Sequence, residues 1–194
     1  MMIHQCFSKA AACAAIFAAC AGPAIAAGVD PSTFDVAGVK LGMTADEVQT
    51  KIAQHFGVGK NKLNTMSVPL KGGKRAITIV SYEANGEHIQ VDFSIVSASP
   101  DDPVPASAIM YNLTFSSENA RQLRAAAIQK YGTPTLNNVL HAQWCVKLTN
   151  PGVGCDDGQA TLSINSTDLT LTDDRYTQKY LKMLDEQRNR TPRL

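Results

Sequence analysis

The sequence predicts an α+β protein: a two-layer sandwich of tandem α-β-β-β repeats with antiparallel sheet, closed by a C-terminal helix. Three observations lead there. Residues 39–57, VKLGMTADEVQTKIAQHFG, place apolar side chains at helical spacing between clear start and stop signals. From Arg75 the period changes to two, around Asn85-Gly86. Residues 116–134, SSENARQLRAAAIQKYGTP, then restate the plan of the first helix ahead of further alternating runs. Residues 28–115 form the first expected unit, and residues 116–188 the second with the C-terminal helix.

The chain opens with Lys9, a small apolar run from Ala10 and the pattern Ala24-x-Ala26. These are the parts of a secretory signal peptide covering residues 1–27, cleaved near Ala26/Ala27. The run is broken by Gly22-Pro23 and is shorter than the ~20 apolar residues of a membrane span. A lipoprotein is the alternative, with Cys20 behind Ile16-Phe17-Ala18-Ala19 carrying a lipid anchor; Phe17 stands where leucine is usual, so the cleaved signal is preferred. Export to the periplasm or beyond is the expectation, with no integral membrane span.

Residues 28–35 read as a polar lead-in. In the first helix Thr44 caps and Glu47, three residues on, can return to the Thr44 amide, a capping box. Met43 and Val48 form a hydrophobic staple. Ala45, Val48, Ile52 and Phe56 make the buried stripe, and Gly57 ends the helix in a left-handed cap. Residues 57–73 are rich in glycine and lysine and read as a loop, with a short strand near residues 66–70. AITIVSYE and HIQVDFSIV form a hairpin about Asn85-Gly86, with Ile89, Val91, Phe93 and Ile95 on one face and His88, Gln90, Asp92 and Ser94 on the other. The proline-rich stretch 99–105 is a turn. A third strand puts Ile109, Tyr111, Leu113 and Phe115 inward. The second helix buries Ala120, Leu123, Ala127 and Tyr131 and stops at Gly132. A fourth strand, residues 139–148, aims Leu140, Ala142, Trp144, Val146 and Leu148 inward, leaving His141, Gln143, Cys145 and Lys147 outside. ATLSI and DLTLT complete the sheets, each with one face on helices and one in solvent. Asp173 caps a last helix with Tyr176, Tyr180, Met183 and Leu184 as its stripe, and residues 189–194 form a disordered tail.

The formal net charge of +1 implies no nucleic-acid partner. Of the five cysteines, Cys6, Cys13 and Cys20 fall in the signal segment. Cys145 and Cys155 remain in a chain bound for an oxidising compartment, and one disulfide is the economical reading.

The leader LGMT with Glu47 and Val48, and a helix closing Phe56-Gly57, resembles the repeat of the BamE/SmpA outer-membrane assembly lipoproteins. The duplicated helix-then-sheet plan, with Tyr131-Gly132-Thr133-Pro134 in the second half, is similar to β-lactamase-inhibitor-protein tandem repeats. The resemblance implies a secreted, non-catalytic protein-binding module that uses its open sheet face and edge loops. The chain departs from the assembly lipoproteins in its lipobox and in having two units, so no functional residue is carried over.

No catalytic, metal or cofactor signature stands out. Ser81, Ser94 and Ser163 lie inside strands with no G-x-S-x-G elbow. Asp101-Asp102, Asp156-Asp157 and Asp173-Asp174 fit turns and a helix cap. His88 and Asp92 share a strand face but stand ~13 Å apart. What remains is a polar face: His88, Gln90, Asp92, Ser94, His141, Gln143 and Lys147, flanked by Tyr82 if its strand turns it outward. The first functional reading is a non-enzymatic binding module for an envelope protein, or an inhibitor of a hydrolase or toxin. The alternatives are a purely structural envelope protein and a periplasmic hydrolase with His88 or His141 as base. The hydrolase requires both histidines near one carboxylate and a concave apolar pocket.

Overall fold

The computed structural model describes residues 29–139, 141–150 and 154–188. The expected signal peptide, its cleavage point, the Cys20 anchor, the inward Leu140 and the tail at 189–194 lie outside the described residues.

Two short strands, β1 (Asp35–Val36) and β2 (Val39–Lys40), pair before α1 (Ala45–Phe56). The Thr44 amide and hydroxyl both donate to Glu47 Oε2, each at 2.8 Å. These bonds to the ionised form hold the Glu47 carboxyl below its usual range. Val48 and Ile52 are fully buried, each worth about 1.5–3 kcal/mol of apolar transfer. Gly57, at φ +66°, ends the helix, and the Val58 amide closes onto Ala53.

The remaining strands are β3 (Asn64–Pro69), β4 (Arg75–Ala84), β5 (Glu87–Phe93), β6 (Ala106–Leu113), β7 (Leu136–Asn137), β8 (His141–Trp144), β9 (Leu148–Asn150), β10 (Gly154–Cys155), β11 (Ala160–Asn165) and β12 (Asp168–Asp173). Helix α2 (Ser117–Tyr131) lies between β6 and β7, and α3 (Asp174–Arg188) follows β12. Eight strands form one antiparallel sheet in the order β3-β4-β5-β6-β12-β11-β8-β7, while β9 and β10 pair apart from it. The sequence pointed to α-β-β-β units with a separate sheet in each half, and to a further short strand near residues 66–70 that is β3. Each half instead supplies four strands, and β6 joins β12 along Ala108–Asn112. The β4–β5 turn is the expected one: Asn85 and Gly86 both take positive φ, +54° and +78°, the backbone of a type I′ hairpin.

The core lies between the sheet and the pair α1 and α2, centred on Trp144, Ile52, Ile89, Ile109, Leu162, Ile164 and Leu171. The lead-in is not simply polar. Pro31 is buried, as are Val36 and Val39 just beyond it, and Phe34 stacks on Tyr131 with ring centroids 4.7 Å apart. The Tyr131 hydroxyl donates to Asp35 O at 2.7 Å, and the Trp144 indole N–H donates to Gly132 O at 2.9 Å. These bonds tie the end of α2 to both the lead-in and the sheet.

Several side-chain expectations change. The third strand stops at Leu113 because the Thr114 amide turns to Gly86 O, so Phe115 is 77% exposed rather than inward. The fourth strand breaks after Trp144. There the Cys145 amide and carbonyl are taken by Thr135 Oγ1, and the Val146 and Lys147 amides both donate to Gln159 Oε1. Val146 is therefore exposed, and Cys145, expected outside, is fully buried where the chain leaves the strand. On α3 only Met183 is buried, away from the main core and beside Val96–Ser99; Tyr180 is exposed.

Candidate functional site

Alternation and register together build the sheet face turned away from α1 and α2. On β5, Ile89, Val91 and Phe93 are buried, which sends His88, Gln90 and Asp92 to the opposite side. On β8, Ala142 and Trp144 are buried, which does the same for His141 and Gln143. Cross-strand pairing then aligns one row: Glu83, His88, Asn112, Asp168, Asn165, His141. A second row runs Ser81, Gln90, Met110, Thr170, Ser163, Gln143. Five of the six candidate binding residues thus share one face.

The face is ordered by its own hydrogen bonds. His88 Nδ1 lies 3.3 Å from Asn112 Oδ1, and Asn112 Nδ2 donates to Asp168 Oδ1 at 2.6 Å. Gln90 Nε2 donates to Asp92 Oδ1 at 2.9 Å. At the far end Asn138 Nδ2 stands 3.0 Å from His141 Nδ1. Ser94 lies just past the end of β5, where its hydroxyl donates to Ser107 Oγ at 2.8 Å. Lys147 is in the loop beyond β8 and pairs with Asp156 at 3.3 Å, so it belongs to the clamp around Gln159 rather than to this face. Tyr82 points to the core, 4.9 Å ring to ring from Phe56.

Sequence reasoning missed Asn112, Asp168, Asn165 and Glu83. The alternation around Ile109 and Tyr111 marks Asn112 as outward, but only the β6–β12 pairing puts it beside Asp168. The expected disulfide is present: Cys145 and Cys155 are bonded, with Cα atoms 6.0 Å apart. Gln143 Oε1 lies 3.8 Å from Cys155 Sγ, so the cross-link borders the face.

The two histidines stand on β5 and β8, four strand spacings apart, or ~19 Å. That does not meet the geometry the hydrolase reading requires. An apolar cleft of about 260 Å³ lies on the other side of the sheet, lined by His55, Tyr111, Leu123, Ala127, Lys130 and Leu169, and a further hollow on the open face is lined by His141, Gln143, Ser163 and Asn165. Two of the cleft's polar groups are already engaged. Lys130 bonds Asp35 at 2.8 Å, and the Tyr111 hydroxyl donates to Glu87 Oε2 at 2.7 Å. Burial first, and Glu87 second, push the Tyr111 phenol well above its usual range. Among the described residues no group of three His, Cys, Asp or Glu side chains is arranged to hold a metal ion, and no helix is long and apolar enough to cross a membrane.

Comparison of the chain with protein-family models, with curated proteins and with solved structures yields no match.

Proposed function

We propose that this is an exported, non-enzymatic binding module whose open sheet face docks a folded protein of the cell envelope, either an assembly partner or a hydrolase or toxin that it inhibits. The observation carrying this reading is the face itself. One side of an eight-stranded sheet is packed on α1 and α2, and the other presents hydrogen-bonded polar rows. Seven strand spacings of ~4.8 Å and strands of ~20 Å give a face of about 700 Å², close to the ~800 Å² each partner contributes to a standard interface. Side chains already held by neighbours lose little freedom on binding, which favours affinity. The two halves support the same reading. α1 with β3–β6, and α2 with β7, β8, β11 and β12, follow one plan related by a two-fold rotation at the antiparallel β6–β12 seam, as a tandem duplication would.

The test places a photocrosslinking amino acid at Asn165, on the face, and in a second variant at Gln54, on the exposed side of α1. A discrete partner captured from Asn165 and not from Gln54, and lost in a His88→Glu/His141→Glu variant of unchanged Tm, supports the proposal. Capture from Gln54 alone, or capture unaffected by the double substitution, overturns it.

A further inference from the structure

A second surface carries a different signal. Strand β3 is the outer strand of the sheet, and among the described residues no second strand pairs with its free edge. Its six residues are uncharged, with Met66 62% and Val68 38% exposed. The opposite edge, β7, has only two residues. An open edge of this kind is a template for another strand.

The near-neutral total charge conceals an asymmetry around it. Between Glu47 and Glu83 the chain has no acidic residue and carries Lys51, Lys60, Lys62, Lys71, Lys74 and Arg75. Five of these six flank β3, two ahead of it and three behind it. Asp46 holds Lys60, and Asp101 holds Lys74. Lys62 and Lys71 are exposed and form no ion pair among the described residues. Lysines that protect an edge from aggregation work from inside the strand. Here the strand has no charged residue of its own; Arg75 of β4 bonds the Ser67 hydroxyl and carbonyl within it, and Lys62 and Lys71 stand at its two ends.

We propose that the free edge of β3 is a docking site that accepts, by strand addition, an extended segment of a partner protein that is uncharged at its centre and acidic at both ends. Backbone hydrogen bonds along a strand of ~20 Å supply the pairing, and Lys62 and Lys71 fix the register through the flanking carboxylates. A second copy of this chain does not suit the site, because antiparallel apposition of two β3 edges sets Lys62 of each against Lys71 of the other. The site is separate from the open face and does not depend on the function proposed for it.

The test titrates ¹⁵N-labelled protein with the peptide Glu-Glu-Thr-Val-Thr-Val-Glu-Glu, and in parallel with the version carrying lysines in place of the glutamates. The acidic peptide is expected to shift the amides of residues 64–68 and to bind more weakly as salt rises. The basic peptide leaves them unmoved. Lys62→Glu/Lys71→Glu, at unchanged Tm, weakens the acidic peptide about tenfold, whereas His88→Glu/His141→Glu does not. Absence of shifts, equal binding of both peptides, or shifts confined to the open face overturns the proposal. So does capture by phosphatidylglycerol vesicles without peptide binding, or concentration-dependent dimerisation through β3.

Discussion

The disulfide lends itself to a quantitative test because its surroundings separate its effect on the folded chain from its effect on the unfolded one. Cys145 and Cys155 are ten positions apart, and closing a loop of that length removes about 2.7 kcal/mol of unfolded-state entropy at 25 °C on the chain-entropy model. In the folded protein the same loop is fastened independently. Gln159 Oε1 accepts from the Val146 and Lys147 amides at 3.1 and 3.0 Å, and Gln159 Nε2 donates to the carbonyls of Lys147 and Asp156 at 2.6 and 2.9 Å. Reduction should therefore leave the native structure in place while lowering its stability by roughly that 2.7 kcal/mol, a fall in Tm of about 5–11 °C for a chain of this size. Cys145→Ala/Cys155→Ala should cost about 1 kcal/mol more, because Cys145 is fully buried and its sulfur leaves a void. The chain has a single tryptophan, Trp144, which adjoins the bond and is fully buried. Its emission reports guanidinium unfolding with and without dithiothreitol. An unchanged midpoint on reduction, or two free thiols titrated in the denatured, unreduced protein, would refute the reasoning.

Gly86→Ala places a Cβ 2.6 Å from Thr114 Oγ1 at φ +78°; it should destabilise by about 1–2 kcal/mol in urea unfolding, and Gly86→Ala/Thr114→Ala should recover part of the loss. Arg175→Met strips the Nε and Nη2 bonds from Asp173, which is 6% exposed; the expected cost is about 1–3 kcal/mol, smaller in Arg175→Met/Asp173→Asn by thermal melt. Asp35 gives a pH signature: burial pushes its carboxyl up, but Lys130 at 2.8 Å and the Gly38 amide at 3.0 Å outweigh burial and hold it below the ordinary range. A depressed folded-state pKa contributes stability that is complete above the unfolded value and is lost as pH falls through the folded one. Lys130→Met should thus cost about 0.5–1 kcal/mol at pH 7, an exposed-pair magnitude, with the difference shrinking as pH falls below about 4; equal losses at pH 7 and pH 2 would count against it.

What the sequence made legible was local. The capping box, stripe and left-handed stop of α1 sit within a few residues of one another, and so do the signals for the β4–β5 hairpin and for α2. Short-range chemistry decides those elements, and no distant group overrides it. The disulfide was legible by elimination, because only two cysteines remain once the expected signal segment is set aside. The misreadings involve partners far along the chain. Asp35 looks like part of a polar lead-in until Tyr131, 96 residues on, donates to its carbonyl. Residues 139–148 alternate well enough for one strand, yet the Gln159 side chain takes the two amides that would continue the ladder. Tyr82 sits on an alternating strand whose facing side only Phe56 reveals. The candidate face was half legible for the same reason: alternation gave His88, Gln90, Asp92, His141 and Gln143, while Asn112 and Asp168 needed the β6–β12 register.

That register also bears on how the proposed binding face would select a partner. A two-fold rotation about the sheet normal at the Asn112–Asp168 pair exchanges β5 with β11 and β4 with β8, so it maps His88 onto Asn165, Asn112 onto Asp168 and Glu83 onto His141. A duplicated scaffold carrying matching side chains would offer a partner two equivalent ways to dock. None of these three pairs matches. One end of the row carries a carboxylate and the other an imidazole, and the Asn112–Asp168 bond fixes the centre. A partner patch complementary to one direction meets mispaired charge in the other, and a mispaired polar contact at a desolvated interface costs more than a good one gains. The orientation is therefore encoded in side chains that the backbone plan leaves free to vary. Glu83→His with His141→Glu, which reverses the polarity of the row, should weaken the native partner more than either single change while leaving thermal unfolding unaltered. Equal loss in all three variants would mean that the row contributes area but no direction.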